Sequence, residues 1–242
     1  MTKTKKIIIA VFTLIVGSGE VFSQTSELEL NERQKRIVGI AALGAKGNQV
    51  LLASELASGL DGGLTINETK EIFIQLSAYA GFPRSLNAIN TLKKVADERK
   101  ANGKTDLIGK EAIPLDTTMS RYQLGKNNLE KLSGRPEGQK AGYAEYVPVI
   151  EIFLKEHLFA DIFSRGILSY QDRELVTVSA LASMGGLDAQ LQAHLGLSLT
   201  NGLTGSQLQQ MLKIVGKLIG ANEASAGTLV LNKVLAASAN NK

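Results

Sequence analysis

An all-α fold made of two tandem helical repeats is the class this sequence predicts. Three observations carry the prediction. The 242 residues include only 4 prolines, and they are rich in good helix formers. Apolar residues recur at three- and four-residue spacing, as in Leu208, Met211, Leu212, Val215 and Leu218. Most telling, long segments recur later in the chain. RIVGIAALGAKGNQ (36–49) resembles ELVTVSALASMGGL (174–187), ELASGLDGGLTINETKEIFIQLSAYAG (55–81) matches HLGLSLTNGLTGSQLQQMLKIVGKLIG (194–220) without a gap, and SLNAINTLKKV (85–95) pairs with ASAGTLVLNKV (224–234). The offset is 138 residues early and 139 later, so one residue is inserted between these segments of the later copy.

Taken in chain order, MTKTKKIIIAVFTLIVGSGEVFSQ begins with Lys3, Lys5 and Lys6 and continues into an apolar run over 7–16. Small Ser23 follows, which is the pattern of a signal peptide spanning 1–23. Cleavage near Ser23 implies an exported, periplasmic or secreted protein with no stable membrane anchor after processing. The first repeat occupies 24–100, with Thr65 as the N-cap of a helix striped by Ile72, Phe73, Leu76 and Tyr79, and AGFPR as its stop. Residues 101–120 read as an exposed linker. The second unit, 121–242, opens with a helix over 121–132, a Gly/Pro loop, and an apolar helix over 147–165 expected to pack against the second copy. A helix from about Asp172 to Met184 follows, broken by Gly185-Gly186, then a shorter one from Leu187 to Thr200. Asn201-Gly202 supplies the turn with positive φ, and Thr204 caps the next helix, which Gly220 and Asn222 end. A last helix spans about 223–237 before a frayed tail.

Composition excludes several function classes. A net charge of +4 with no basic patch and interleaved aromatics gives no nucleic-acid interface. The absence of cysteine removes disulfides, thiolate nucleophiles and cysteine metal sites. The two histidines, His157 and His194, lie too far apart to form a ligand pair by spacing, so no metal or other cofactor is expected.

The run HLFADIFSRGILSYQDRELVTVSALASMGG…LQAHLGLSLTNGLT, together with GLTINETKEIFIQLSAYAGFPRSLNAINTLKKVADER, resembles the carboxymuconolactone decarboxylase family. The resemblance covers about 30–100 and 121–236. It implies the alkylhydroperoxidase-D-like helical fold in two tandem repeats, and a homo-oligomer, with a trimer of tandem chains equivalent to a hexamer of single units. In the peroxidase branch of that family the second helix opens with Gly-Cys-x-x-Cys-x-x-x-His. Here the nine positions read GLDAQLQAH, with Leu187 and Gln190 in the cysteine places and only His194 kept. Peroxidase chemistry is therefore rejected. The decarboxylase branch resembles this chain in Asp172, Arg173 and Leu175, in His194, and in Asn201-Gly202-x-Thr204. Its Y-x-G-x-P element stands here in the first copy, as YAGFP at 79–83.

Each candidate residue has a chemical reading and a structural one. His194 suits a general acid or base near neutral pH, or a histidine satisfied in the core. Glu55 is its first-copy counterpart, a second base or the cap of a degenerate site. Arg173 and Arg165 suit bidentate binding of a small-molecule carboxylate. Structurally, Arg173 is expected to pair with Asp161, Asp172 or Glu174, and Arg165 with Asp161 four residues before it. Glu174 faces either the site or the surface as a first-turn acid. Tyr79 is core or pocket lining, His157 is structural, and Glu68 within NET at 67–69 is a first-turn acid. Two functions follow: a cofactor-independent, decarboxylase-type enzyme acting on a small carboxylated, lactone-like compound, with His194, Arg173 and Glu174 catalytic and Arg165, Tyr79 and Glu55 binding substrate; or a non-catalytic helical binding or assembly protein.

Overall fold

The computed structural model describes residues 29–139 and 142–239; the signal-peptide reading of 1–23 lies outside the described residues. Four helices come first. α1 (Glu32–Lys46) starts at Asn31, whose side chain accepts from Gln34 N while the Gln34 side chain returns the bond. α2 is Gln49–Asp61 and α3 is Ile66–Tyr79, the latter capped by Thr65 with Glu68 completing the box. α4 is Phe82–Ala101, with Pro83 in its first turn, where a missing N–H costs nothing.

A second set of four has the same plan: α8 (Tyr170–Met184), α9 (Asp188–Thr200), α10 (Gly205–Leu218) and α11 (Ala221–Ala239). Helix lengths run 15, 13, 14 and 20 in the first set and 15, 13, 14 and 19 in the second. The one-residue change of offset falls in a single loop. Gly47-Asn48 joins α1 to α2, whereas Gly185-Gly186-Leu187 joins α8 to α9, both glycines at positive φ. Ser169 caps α8 where Asn31 caps α1, and the Thr204–Gln207 box repeats that of Thr65–Glu68. Contrary to the expectation from sequence, only the glycine of the Asn201-Gly202 turn has positive φ. Asn201 stays at φ −93 and uses its Nδ2 on the carbonyls of Leu132 and Leu197.

α1 and α8 pack against each other at the centre. Every residue from Ile37 to Ala45 and from Asp172 to Ser183 is buried, as a helix surrounded on all sides requires. The contact is crosswise. Arg33 Nη1 donates to Asp172 Oδ1 at 2.9 Å, and Gln34 Nε2 donates to Gln171 Oε1 at 3.3 Å. Arg33 corresponds to Gln171 and Gln34 to Asp172 in the repeat alignment, so each bond is the other's counterpart, as a two-fold relation demands. α3 of the first set likewise packs on α8, and α10 of the second on α1.

Between the sets, residues 104–117 have no regular secondary structure, yet they are tied down. Leu107 O and Ile108 O accept the first N–H groups of α3, and Ile113 N donates to Arg165 O. α5 (Arg121–Ser133), α6 (Gly142–Tyr146) and α7 (Pro148–Phe153) follow. The expected single helix over 147–165 is instead α7, a π-helical stretch (Leu154–Ile162) and a 3₁₀ turn (Phe163–Arg165). The π-helical stretch packs mainly on α5 rather than on the second set. Its backbone comes so near that a Cβ at Gly125 would collide with Lys155 O. Lys155 is buried there, yet Glu137, Glu151 and Tyr122 outweigh its desolvation and hold its ammonium well above the usual lysine value. Leu132, Leu158, Phe159, Ile162 and Phe163 form a second small core that reaches Tyr79, Tyr170 and Leu197, and so braces both sets.

Candidate functional site

α3 presents a polar stripe, Glu71, Gln75 and Tyr79, among buried Ile72, Phe73 and Leu76. Successive members are four residues apart, hence one face of the helix. That face meets Arg173, Glu174 and Thr177 of α8. Arg173 Nη2 donates to Glu71 Oε1 at 2.8 Å and its Nη1 to Gln75 Oε1 at 3.0 Å. Gln75 Nε2 donates to Arg173 O and to Thr177 Oγ1. Arg165 approaches Glu71 from the other side, with Nε 2.9 Å from Oε2. At the far end, His194 on α9 places Nδ1 2.9 Å from Glu174 Oε2, and Tyr79 OH lies 3.4 Å from Nε2. The Tyr79 and His194 rings meet edge to face, centroids 5.4 Å apart.

With the carboxylate accepting from Nδ1–H, the neutral ring turns an acceptor, Nε2, toward the phenol. The His194 side chain is 13% exposed and the Glu174 side chain fully buried. Glu174 Oε1 has no hydrogen-bond partner among the described residues, and neither has Arg173 Nε, which leaves an acceptor and a donor inside the network. Burial, reinforced by the Glu174 charge, pushes the Tyr79 hydroxyl far above the usual tyrosine range. A folded-state value raised in this way favours folding below about pH 10 and is lost above it, where the unfolded chain ionises first. A spectrophotometric alkaline titration is expected to leave Tyr79 protonated at pH 11, ionising only on unfolding; Tyr79→Phe removes that late step. A Tyr79 that titrates like an exposed phenol contradicts its place in the network.

The structure gathers five of the candidate residues where α3, α8 and α9 meet: Glu174, His194 and Tyr79 form one hydrogen-bonded group, and Arg173 and Arg165 form its neighbour around Glu71. Arg173 is wholly enclosed, its guanidinium 5.1 Å from the centre of the Phe163 ring. Burial pulls its pKa below the usual arginine value, against the pull of Glu71. Its partner is Glu71, not Asp161, Asp172 or Glu174, because it projects toward α3. Arg165 is also not paired with Asp161. The 3₁₀ turn carries it off the regular four-residue register, and Asp161 instead meets Arg121 and His157. Arg165 remains 33% exposed. Glu174 is not a surface cap. His157 is half exposed, next to Asp161 and the Phe82 ring, so it is not a core histidine.

Glu55 lies apart, paired with Arg36 at 3.1 Å. Glu55 is the counterpart of His194 and Arg36 that of Glu174 in the repeat alignment, so the same two helix positions carry a pair of reversed polarity. The counterparts of Glu71, Gln75 and Tyr79 are Gln210, Ile214 and Leu218, and no equivalent polar stripe exists there. Sequence reasoning missed Glu71, Gln75 and Thr177. Two polar residues four apart, leading to Tyr79 inside an apolar helix face, were the available signal.

Residues 150–233 match the model of the carboxymuconolactone decarboxylase family. The match takes in Arg165, Arg173, Glu174 and His194, and stops short of Glu71, Gln75 and Tyr79. No curated protein matches the chain.

Proposed function

From the family match over residues 150–233, we propose that this chain is a cofactor-independent, decarboxylase-type enzyme acting on a small carboxylated, lactone-like compound. The observation that carries the reading is the His194 ring, held between Glu174 on Nδ1 and Tyr79 on Nε2. Glu174 fixes which nitrogen faces the reacting atom. Arg165, one-third exposed, is the anchor for the substrate carboxylate: it bonds Glu71 through Nε and leaves its two Nη groups for a guest, whereas both Nη groups of Arg173 are spent on Glu71 and Gln75. Loss of CO2 breaks a carbon–carbon bond and leaves its electron pair on the substrate. The protonated imidazole then delivers a proton from Nε2 to that carbon and is recharged from solvent. There is one such site per chain, since the first set holds Arg36 and Glu55 at the matching positions.

Export through residues 1–23 and self-association belong to the same proposal. The exposed apolar side chains Tyr146, Val147, Val149, Ile152 and Phe153, on α6, α7 and the residue that joins them, support the latter. A thermal-shift screen of the purified protein against small carboxylic acids and carboxylated lactones tests the anchor. Ligands that raise the wild-type melting temperature are expected to lose their effect on Arg165→Gln. If no carboxylate shifts the wild type, the enzyme reading fails.

The second reading, a non-catalytic helical binding or assembly protein, is favoured by one feature. The small core of Leu132, Phe159 and Ile162 packs toward Tyr79 and leaves His194 little exposed. It predicts that no carboxylated compound is turned over and that His194→Ala changes only stability.

A further inference from the structure

A cavity of about 410 Å³ lies where the 104–117 segment crosses α5 and the start of α8. Phe163 and Tyr170 form one wall, their ring centroids 6.2 Å apart and tilted by 35°. Ile113, Pro114, Leu124 and Leu168 supply aliphatic walls. Three polar lining residues, Asn128, Ser164 and Tyr170, are joined by hydrogen bonds. Asn128 is buried, and its Nδ2 donates to Phe159 O and to Ser164 Oγ, each at 2.8 Å. Among the described residues its Oδ1 accepts only a long 3.3 Å bond from Tyr170 OH, so a second lone pair remains for a guest. Ser164 Oγ, having accepted from Asn128, has its own proton to offer. The exposed Asp116 stands among the lining residues. Its hydrogen bonds from Thr118 hold its carboxyl below the usual aspartate value, so it is anionic at neutral pH.

We propose that this cavity is a second binding site, distinct from the His194 network, for an uncharged single-ring compound bearing a hydroxyl group. The ring lies against Phe163 and Tyr170. The guest hydroxyl donates to Asn128 Oδ1 and accepts from Ser164 Oγ, a two-point contact that selects for an alcohol or phenol. The volume is ample for a ring, and the paired aromatic wall is what selects one. Asp116 disfavours anions, so the cavity discriminates against the carboxylates proposed for the Arg165 anchor. Because Phe163 also covers the Arg173 guanidinium, occupancy of the cavity bears directly on a wall of the buried network.

Phenol and benzoate are the probes, titrated into the full chain by calorimetry. Phenol is expected to bind saturably at one site per chain, and benzoate at least tenfold more weakly. Leu124→Trp puts an indole against the ring wall and is expected to abolish phenol binding. Ser164→Ala, which keeps the cavity open, is expected to weaken it severalfold, and is decisive should Leu124→Trp not fold. Asp116→Asn narrows the gap between benzoate and phenol. His194→Ala leaves phenol binding intact, which separates this site from the proposed reaction. Absence of saturable phenol binding, equal binding of benzoate, or undiminished binding by Ser164→Ala overturns the proposal.

Discussion

Glu71→Ala is expected to lower the stability of the folded chain by about 3–5 kcal/mol, the usual cost of removing one partner of a buried ion pair. Glu71 is fully buried and receives Arg173, also fully buried, and Arg165. Taking away the carboxylate leaves the Arg173 guanidinium enclosed with only Gln75 and the Phe163 ring beside it. Much of the loss is thus the penalty on the orphaned cation rather than the worth of the pair. A second substitution separates the two. Arg173→Met in the Glu71→Ala background removes the orphan and is expected to recover most of the loss, since an apolar replacement of a buried pair is often close to neutral. Urea denaturation of the two single variants and the double one measures the coupling. Additive losses would show that Glu71 and Arg173 do not act together.

His194→Ala is expected to reduce turnover by roughly 10²–10⁴, the range that one general acid–base group contributes, while helicity stays intact. Glu174→Gln keeps the shape of the side chain and removes its charge. It is expected to lower kcat with little change in KM, because it alters the orientation and proton placement of the ring rather than the carboxylate anchor. Arg165→Gln is expected to show the opposite split, raising KM for the carboxylated compound more than it lowers kcat. A His194→Ala variant with full activity refutes the assignment of that residue.

Much of the fold was legible because local signals and repetition agreed. Thr65 and Thr204 announce two helix starts, Gly185-Gly186 a stop, and the change of offset one extra residue in the later copy. The segment 147–165 was misread because apolar periodicity reports burial, not hydrogen-bond register. Nothing in LKEHLFADI distinguishes a π-helical stretch from an α-helical one before Gly125 is known to lie against it. At the site, His194 and Glu174 were legible as candidates, but their contact joins α8 to α9. The partners of Arg173 and Arg165 were misassigned because sequence reasoning looks along a helix. Glu71 lies 102 residues away from Arg173, and only the crosswise packing of α3 on α8 brings them together. The polarity reversal between Glu174–His194 and Arg36–Glu55 is likewise visible only once both pairs are seen to bridge the first two helices of their sets.

The proposed chemistry needs one imidazole whose Nδ1 is bonded to Glu174 and whose Nε2 is turned to Tyr79. Long-range nitrogen–proton NMR of the two histidines tests it most directly, with half-exposed His157 as the internal reference. At a pH where the ring is neutral, His194 is predicted to carry its proton on Nδ1, and Glu174→Gln is predicted to disturb that tautomer while leaving the signals of His157 unchanged. A His194 that carries its proton on Nε2 and does not respond to Glu174→Gln would contradict the account.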